Sequence, residues 1–464
     1  MTAAEADRID VARVRRVLVV GVGASARGAV RLAMAHDVEV VVVDRDESHA
    51  GADAMRDLGP SVRVDPDVDP ATLAVDLVVP SPGVPEHDPL LHRAEVAGLP
   101  IWSEPQFALA LRPRTVLGVT GTNGKTSTTE LLAAILEEGG RPVVACGNIG
   151  LTVSDAVLEH DASTLFVVEF SSFQLRFAGL IRCRVGVVLN LAADHLDWHR
   201  DLDAYAEAKA RIWEAQVEGD WAVANDDDPA TVALRDRRAP AGHASFSARR
   251  GVQRGVGVVD GHLVCTVDGE ARAVIATAEL AASAEHHVAN LCAAATAARL
   301  VGADADAIAR VARRWQPGEH RGRVVAVAGG VRWVDDSKAT NPHATVAALA
   351  SADPIVWIAG GIAKGVDLGA LGPHLTSVRH ALLIGTSARA LADVCAAHGV
   401  PATIVDGLGD AVRTAAGIAR PGDTVLLAPA CASFDQFRDY RHRGEVFVAA
   451  VTAIVAGDAH EVHA

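Results

Sequence analysis

Cysteine is scarce and scattered. The six residues lie singly at 146, 183, 265, 292, 395 and 431. None forms a Cys-x-x-Cys pair, which excludes a zinc ribbon or dithiol redox motif and argues against a disulfide framework. No apolar run approaches the ~18 residues that a membrane-spanning helix needs. The first ten residues, Met1 to Asp10, lack the basic segment and apolar run of a secretory leader. Positive charge is also short, with 43 Lys and Arg against 58 Asp and Glu and a net charge of -15. That balance disfavours a protein that coats nucleic acid. It leaves room for phosphorylated ligands, because a few local cations and helix N-termini bind those. There is no short-period repeat and no low-complexity tract. These absences predict a cytoplasmic globular protein that neither inserts into membranes nor binds nucleic acid.

What is present is ordinary globular composition, 50% hydrophobic and 22% charged over 464 residues, long enough for about three domains. Short β-branched runs alternate with helical stretches, which implies parallel sheets covered on both faces. In the first segment strands are predicted at Val17–Val20, Val40–Val43, Leu77–Val79 and Leu99–Trp102, with a helix at Ala24–His36. Leu111–Arg114 reads as a linker. Beyond it come strands at Thr115–Val119, Thr164–Glu169 and Gly186–Asn190, hairpins over 245–275, and a helical stretch from about Ala281 to Arg314. Gln316–His320 reads as a second linker. Strands are then expected at Ile355–Ala359, Ala381–Ile384, Thr403–Val405 and Thr424–Ala428. The division is 1–111, 112–316 and 317–464: a Rossmann-like domain, a P-loop-type ATPase domain with a mainly parallel sheet, and a second Rossmann-like domain.

Two glycine-rich turns carry chemistry. Gly21-Val-Gly23-Ala-Ser-Ala26 follows a strand and opens a helix, and Asp44 ends the next strand, close to a dinucleotide-binding fingerprint. Ser81-Pro-Gly83-Val reads either as a second turn facing the same crevice or as a plain loop. The second signal, Gly121-Thr-Asn-Gly124-Lys125-Thr126, also joins a strand to a helix. Its backbone N–H groups suit polyphosphate oxygens, Lys125 suits the outer phosphates, and the Thr126 hydroxyl suits Mg²⁺. The strict P-loop pattern wants glycine where this chain has Val119, so this is a variant.

The stretch Thr120 to Thr126 resembles the ATP loop of the Mur ligases and folylpolyglutamate synthetases, three-domain ATP-dependent amide-forming enzymes. Further segments extend the resemblance. They are Gly147-Asn148-Ile-Gly150, Glu169-Phe-Ser171-Ser-Phe-Gln174, Asn190-Leu-Ala-Ala-Asp194-His195-Leu-Asp197 and Tyr205-Ala-Glu-Ala-Lys209. The resemblance implies that Thr122, Asn123, Gly124, Lys125, Thr126, Ser127 and Thr128 bind ATP, together with Asn290, Arg321 and Asp336. It implies Mg²⁺, at two sites, on Thr126, Glu169, His195 and Lys209, the last as a carbamate. Chemistry agrees for the oxygen donors. A histidine is a less usual Mg²⁺ ligand, and a lysine qualifies only once carbamoylation turns it into a carboxylate. Lys125, His195, Lys209 and Lys338 are the implied catalytic residues, with His195 also a candidate general base.

Asp335-Asp-Ser-Lys338-Ala-Thr340-Asn341 and Ala430-Cys-Ala-Ser433-Phe-Asp-Gln-Phe437 resemble the D-glutamate-adding branch of the family. The implied reaction joins UDP-N-acetylmuramoyl-L-alanine to D-glutamate through an acyl phosphate, in a monomer. Lys338, Thr340, Ser433, the Phe434 backbone and Tyr440 would hold D-glutamate. Ser25, Asp44, Arg45, Ser81, Pro82 and Gly83 would hold the nucleotide-sugar, with Asn148, Ser171 and Gln174. Two places depart from the family pattern: His287, where the family has asparagine, and Ile362-Ala363 before Lys364. Another ligase of the same superfamily is the near alternative. A nicotinamide-dependent oxidoreductase using Gly21, Gly23 and Asp44 is the remote one, and it leaves the second glycine loop unexplained.

Overall fold

The computed structural model describes residues 10–44, 55, 57–59, 61–64, 68–179, 181–196 and 198–461, the side chains of 61–64 and 457–461 excepted. The chain forms two compact units. One comprises Met1–Leu191 with Trp198–Trp315, the other Ala192–Asp197 with Gln316–Ala464.

The first unit holds two sheets. In the N-terminal one, β1 (Arg16–Val20), β2 (Glu39–Asp44), β3 (Ser61–Val64) and β4 (Leu77–Pro80) run in the order β3-β2-β1-β4, all parallel. Successive residues feed opposite faces. Val17, Val19, Val40 and Val42 join one core cluster, while Leu18, Val20, Val41 and Val43 join another. Both faces are thus apolar, as a parallel sheet flanked by crossovers requires. Each fully buried valine or leucine contributes about 1.5–3 kcal/mol, so a charge at any of these positions would break the sheet. Helix α1 (Ala24–Met34) follows β1. It stops two residues short of the expected His36, and the chain turns at Asp37 with φ of 56°. The expected strand at Leu99–Trp102 is only a single bridge between Val78 and Ile101.

The central sheet has nine strands: β5 (Thr115–Thr120), β6 (Val143–Gly147), β7 (Leu165–Glu169), β8 (Cys183–Val188), β9 (Trp221–Asn225), β10 (Gly242–Phe246), β11 (Gly255–Val259), β12 (His262–Cys265) and β13 (Arg272–Ala276). Their order is β13-β12-β11-β10-β9-β8-β5-β7-β6, parallel from β6 to β11 and antiparallel in the last two pairings. The predicted turns at Asp260-Gly261 and Asp268-Gly269 close those two hairpins. Helix α2 (Lys125–Glu138) follows β5 and ends at Gly139-Gly140 as expected, Gly140 at φ 76°. Helix α3 (Leu202–Ala210) follows β8. The helical stretch after Ala281 is two helices, α4 (Glu285–Leu300) and Ala305–Arg314, because Gly302 at φ 86° reverses the chain between them. The Leu111–Arg114 linker is fastened rather than loose. Arg112 donates to Val157 O, and Arg114 donates to Val157 O and His160 O.

The second unit carries β14 (Arg323–Ala328), β15 (Val331–Asp335), β16 (Ile355–Gly360), β17 (Val378–Ile384), β18 (Ala402–Ile404) and β19 (Thr424–Leu427). The order is β14-β15-β19-β16-β17-β18, with β14 the antiparallel edge. The C-terminal helix α5 (Tyr440–Glu461) places Phe447 and Val451 in one of the two cores flanking this sheet. All six cysteines are buried thiols.

Candidate active site

The phosphate loop is built at the C-terminal ends of parallel strands, where open α/β sheets hold ligands. It runs from Thr120 at the end of β5 into α2. Gly121 (φ 153°) and Gly124 (φ 83°) adopt backbone that other residues rarely accept. A Cβ at Gly124 would stand 2.3 Å from Asn290 Oδ1, so α4 packs directly on the loop. Asn190, after β8, clamps the turn: its Oδ1 accepts from Asn123 N at 2.8 Å and its Nδ2 donates to Asn123 O at 3.1 Å. Thr122 N also donates to Asn190 O at 3.0 Å. Sequence reasoning quoted Asn190 as a motif residue but gave it no role.

Two lysines converge on one carbonyl. Lys125 Nζ donates to Gly121 O at 2.9 Å and to Thr122 O at 2.8 Å. Lys209 Nζ, buried on α3, donates to Gly121 O at 2.8 Å and lies 4.4 Å from the Tyr205 ring centroid. Tyr205 OH donates to Thr122 Oγ1 at 3.2 Å. Thr126 is half-buried in the first turn of α2. Ser127 and Thr128 are buried behind it, Thr128 completely, so Thr128 is a residue beneath the loop rather than on its phosphate face.

Glu169 ends β7, paired with Gly147 at the end of β6. Its Oε1 accepts from Asn148 Nδ2 at 2.7 Å, while Oε2 is buried with no hydrogen-bond partner among the described residues. Such an orphaned carboxylate oxygen is costly unless something binds it. Ser171 and Gln174 form a capping box at the start of the next helix: Gln174 N donates to Ser171 Oγ, and Ser171 N to Gln174 Oε1. Among the described residues no three His, Cys, Asp or Glu side chains gather as a metal cage. Mg²⁺ does not demand one, since it keeps waters and phosphate oxygens as ligands.

The N-terminal turn opens onto a cavity of about 410 Å³, lined by Gly21, Gly23, Ser25, Asp44, Ser81 and Gly83 among others. Five of the six nucleotide-sugar residues expected in this domain line it: Ser25, Asp44, Ser81, Pro82 and Gly83. Arg45 lies outside the described residues. A Cβ at Gly23 or Gly83 would meet nothing within 4 Å. Gln174 reaches the same neighbourhood, lining a smaller cavity with Ser81 and Pro82.

In the second unit Lys338 and Tyr440 meet, with Nζ 3.9 Å from the ring centroid. Ala430 N donates to Ala339 O, which sets the Ala430–Ser433 strand end beside Thr340. Ser433 is buried and Phe434 is 68% exposed. Asp336 is pushed up to about 7 by burial and by Asp335, against the Gly322 N–H and Arg321. Asp335 itself engages His320 Nδ1 at 2.6 Å. Lys364 sits at φ 50° after the Gly360-Gly361 turn. His195, at φ 54°, is in this unit through the Ala192–Asp197 segment. Its N–H donates to Asp194 Oδ1, and Asn341 Nδ2 donates to Asp194 Oδ2 at 3.0 Å. The expected metal set is therefore divided: Thr126, Glu169 and Lys209 belong to one unit and His195 to the other.

Two residues were not anticipated in their roles. Arg443 is fully buried; it donates to Ser337 Oγ at 3.0 Å, Ser337 O at 2.8 Å and Cys431 O at 3.1 Å. It stitches together the two motifs assigned to the amino acid, and burial lowers its pKa to about 10. His287, at the departure from the family pattern, is buried with its pKa lowered to about 3 by desolvation and by His286, so it is a neutral imidazole.

The sheet order, the glycine loop with its two lysines, and the paired motifs of the second unit define a ligase of the Mur type, and the chain belongs to the Mur ligase family. Family models match along it in three blocks: the MurD-like N-terminal domain at 15–103, the Mur ligase middle domain at 119–298 and the Mur ligase glutamate ligase domain at 320–431. The UDP-N-acetylmuramoylalanine--D-glutamate ligase of Frankia casuarinae is 45% identical over 447 residues, 94% of each chain. The enzyme of the same name from Mycobacterium tuberculosis is 42% identical over 423 residues, 82% of this chain and 84% of that one. The fold matches MurF ligase from Thermotoga maritima, solved in complex with ADP, with a TM-score of 0.60 at 16% identity, over 97% of this chain and 100% of that one.

Proposed function

We infer that the protein is an ATP-dependent ligase joining UDP-N-acetylmuramoyl-L-alanine to D-glutamate in peptidoglycan precursor synthesis. The observation that carries the ATP half is the convergence of Lys125 and Lys209 on Gly121 O within a turn clamped by Asn190. Relatives 38–45% identical over most of their length carry that ligase name.

In this reading ATP lies on the Thr122–Ser127 turn at the start of α2, with Asn290 of α4 against the loop; Arg321 and Asp336 are the further expected ATP contacts. Lys125 turns from the loop carbonyls to the outer phosphates, gaining charge-assisted contacts. The substrate carboxylate attacks the γ-phosphorus, ADP leaves, and an acyl phosphate forms. Activation is required because a carboxylate has no good leaving group. The D-glutamate amine then attacks the acyl carbon, and phosphate departs as the tetrahedral intermediate collapses. The dicarboxylate fits Lys338 with the hydroxyls of Thr340 and Ser433, the Phe434 backbone and the ring of Tyr440. The nucleotide-sugar fits the N-terminal cavity, with Asn148, Ser171 and Gln174 toward its reacting end.

Mg²⁺ fits the donors present. Thr126 and Glu169, with its unsatisfied oxygen, are hard oxygen ligands, and carbamoylated Lys209 would add another. Bound there, the ion would neutralise phosphate charge as the γ-phosphoryl group transfers. The three ligand classes correspond to a division at 1–111, 112–316 and 317–464.

The test is phosphate release from ATP by the purified protein. Turnover is expected only with both UDP-N-acetylmuramoyl-L-alanine and D-glutamate present; robust turnover with L-alanine or a diamino acid in place of D-glutamate contradicts the assignment.

A further inference from the structure

We infer that Ser81, Ser103 and Glu104 bind one buried water molecule, and that through it Glu104 is a positioning residue for the Ser81–Gly83 loop; the kinetic half rests on the reading that this loop holds the nucleotide-sugar. The site is a cavity of about 10 Å³ in the first unit, lined by Ser81, Ser103, Glu104 and Gln174 and walled by Phe173 and Trp198. That volume matches one water, which needs two to four polar partners. Ser81 Oγ, Ser103 Oγ and Glu104 Oε2 are buried and have no hydrogen-bond partner among the described residues. Ser103 and Glu104 are only 3% and 2% exposed. Buried polar atoms in native proteins are almost always satisfied, by protein or by ordered water.

Local structure explains why these three atoms are left over. Ser103 is the N-cap of the helix Glu104–Leu111, yet its hydroxyl makes no cap bond. Pro105 sits in the first turn and offers no N–H. Glu104 spends one oxygen on Ser154 N, at 2.5 Å. Ser81 uses its backbone, not its side chain, to join β4 to the sheet: its N–H donates to Val20 O. Its Oγ would stand 2.7 Å from a Cβ at Gly21, so the hydroxyl lies between the two loops that wall the large cavity. Fixing that hydroxyl fixes the spacing of those walls. The charged groups near Glu104 are Asp155 and its partner Arg31, 2.6 Å apart; the neighbouring Cys146 thiol is kept neutral by burial. Burial, aided by Asp155, raises the Glu104 carboxyl to about 7. A bridging water accommodates both protonation states, because it donates to the carboxylate and accepts from the acid.

A high-resolution crystal structure of the unliganded protein is expected to show one water peak within hydrogen-bond distance of all three atoms. A dry cavity overturns the site. For the kinetics, Glu104→Gln keeps both jobs, its amide oxygen accepting from Ser154 N and its amide nitrogen donating to the water. The KM for the nucleotide-sugar should then stay within about twofold of wild type. Glu104→Leu removes the water's partner and also leaves the Ser154 N–H without its acceptor; it should raise that KM roughly tenfold or more, with kcat and the KM values for ATP and D-glutamate unchanged. Ser103→Ala, which leaves the carboxyl in place, should give a smaller rise of the same kind. Water density with an unchanged KM in both Glu104→Leu and Ser103→Ala overturns the positioning role. Absence of turnover by the wild-type protein would count against the proposed reaction, while the density would still decide the water site.

Discussion

Two strand–glycine–helix turns in the first unit look alike in sequence and differ in construction. At Gly121–Lys125 the loop is held from several sides, its backbone by Asn190 and Lys209, its Thr122 hydroxyl by Tyr205, and its Gly124 turn by the packing of Asn290 on α4. At Gly21–Ala24 the turn is held by the sheet, through Gly21 N to Val43 O, and by one side chain, Arg27, whose Nη1 donates to Val22 O at 2.9 Å; its outer side is open to a large cavity. A loop that cradles a polyphosphate must present several N–H groups in one fixed array, so its surroundings over-determine it. A pocket wall for a larger ligand needs space and shape instead.

The comparison can be broken most severely at the lysines. Lys125→Ala and Lys209→Ala should each lower turnover by on the order of 10²–10³-fold or more, the scale of losing a charge-stabilising group, measured by phosphate release. If short added carboxylates restore activity to the Lys209→Ala protein, carbamoylation of Lys209 gains support. Next comes Gly124→Ala. The positive φ and the 2.3 Å approach to Asn290 Oδ1 should cost about 1–3 kcal/mol of stability, read by denaturant unfolding, and raise the KM for ATP. At the other turn, Gly23→Ala has φ of -69° and open space for its Cβ. It should leave stability within about 0.5 kcal/mol and raise only the KM for the nucleotide-sugar. Equal effects of the two glycine substitutions on stability would remove the distinction.

A pH dependence bears on the N-terminal turn alone. Glu104 is raised from 4.5 to about 7 in the folded protein, so the folded state holds its proton more tightly than the unfolded chain. Wild-type stability should therefore fall as pH rises from about 4.5 to 7 and stay lowered above that. Glu104→Gln lacks this term. It should match wild type below the carboxylate range and exceed it above pH 7, by at most about 3 kcal/mol. Parallel stability–pH curves for the two proteins would contradict the shifted carboxyl.

How much of this was readable in the sequence follows the same division. Lys209, which reads locally as an exposed helical lysine, is buried, whereas the ATP loop and Glu169 were placed at strand ends because each sits in a local strand–turn–helix unit. The hairpins at Asp260 and Asp268 were visible for the same reason. β14 and β15 were not foreseen: the valines of the edge strand β14 stay exposed or half-buried, and Arg332 interrupts the apolar run of β15, so neither stretch reads as a continuous buried strand. The clamp at Asn190 and the stitch at Arg443 depend on contacts 67 and 106 residues apart in the chain, which no local pattern carries. One composition signal went unused: of the 43 basic residues only four are lysines, Lys125, Lys209, Lys338 and Lys364, and all four lie in the candidate motifs. Arginine serves everywhere else. Under the proposed reaction a compact ammonium, and at Lys209 an amine able to take a carbamate, would serve those positions where a guanidinium would not.

The central claim is that the ATP loop and the two motifs of the second unit serve one reaction. The most direct measurement is phosphate release from ATP with each substrate omitted in turn. The account predicts release only when UDP-N-acetylmuramoyl-L-alanine and D-glutamate are both present, with one ligated product formed per phosphate. Release that proceeds without D-glutamate, or equally well with L-alanine in its place, would contradict it.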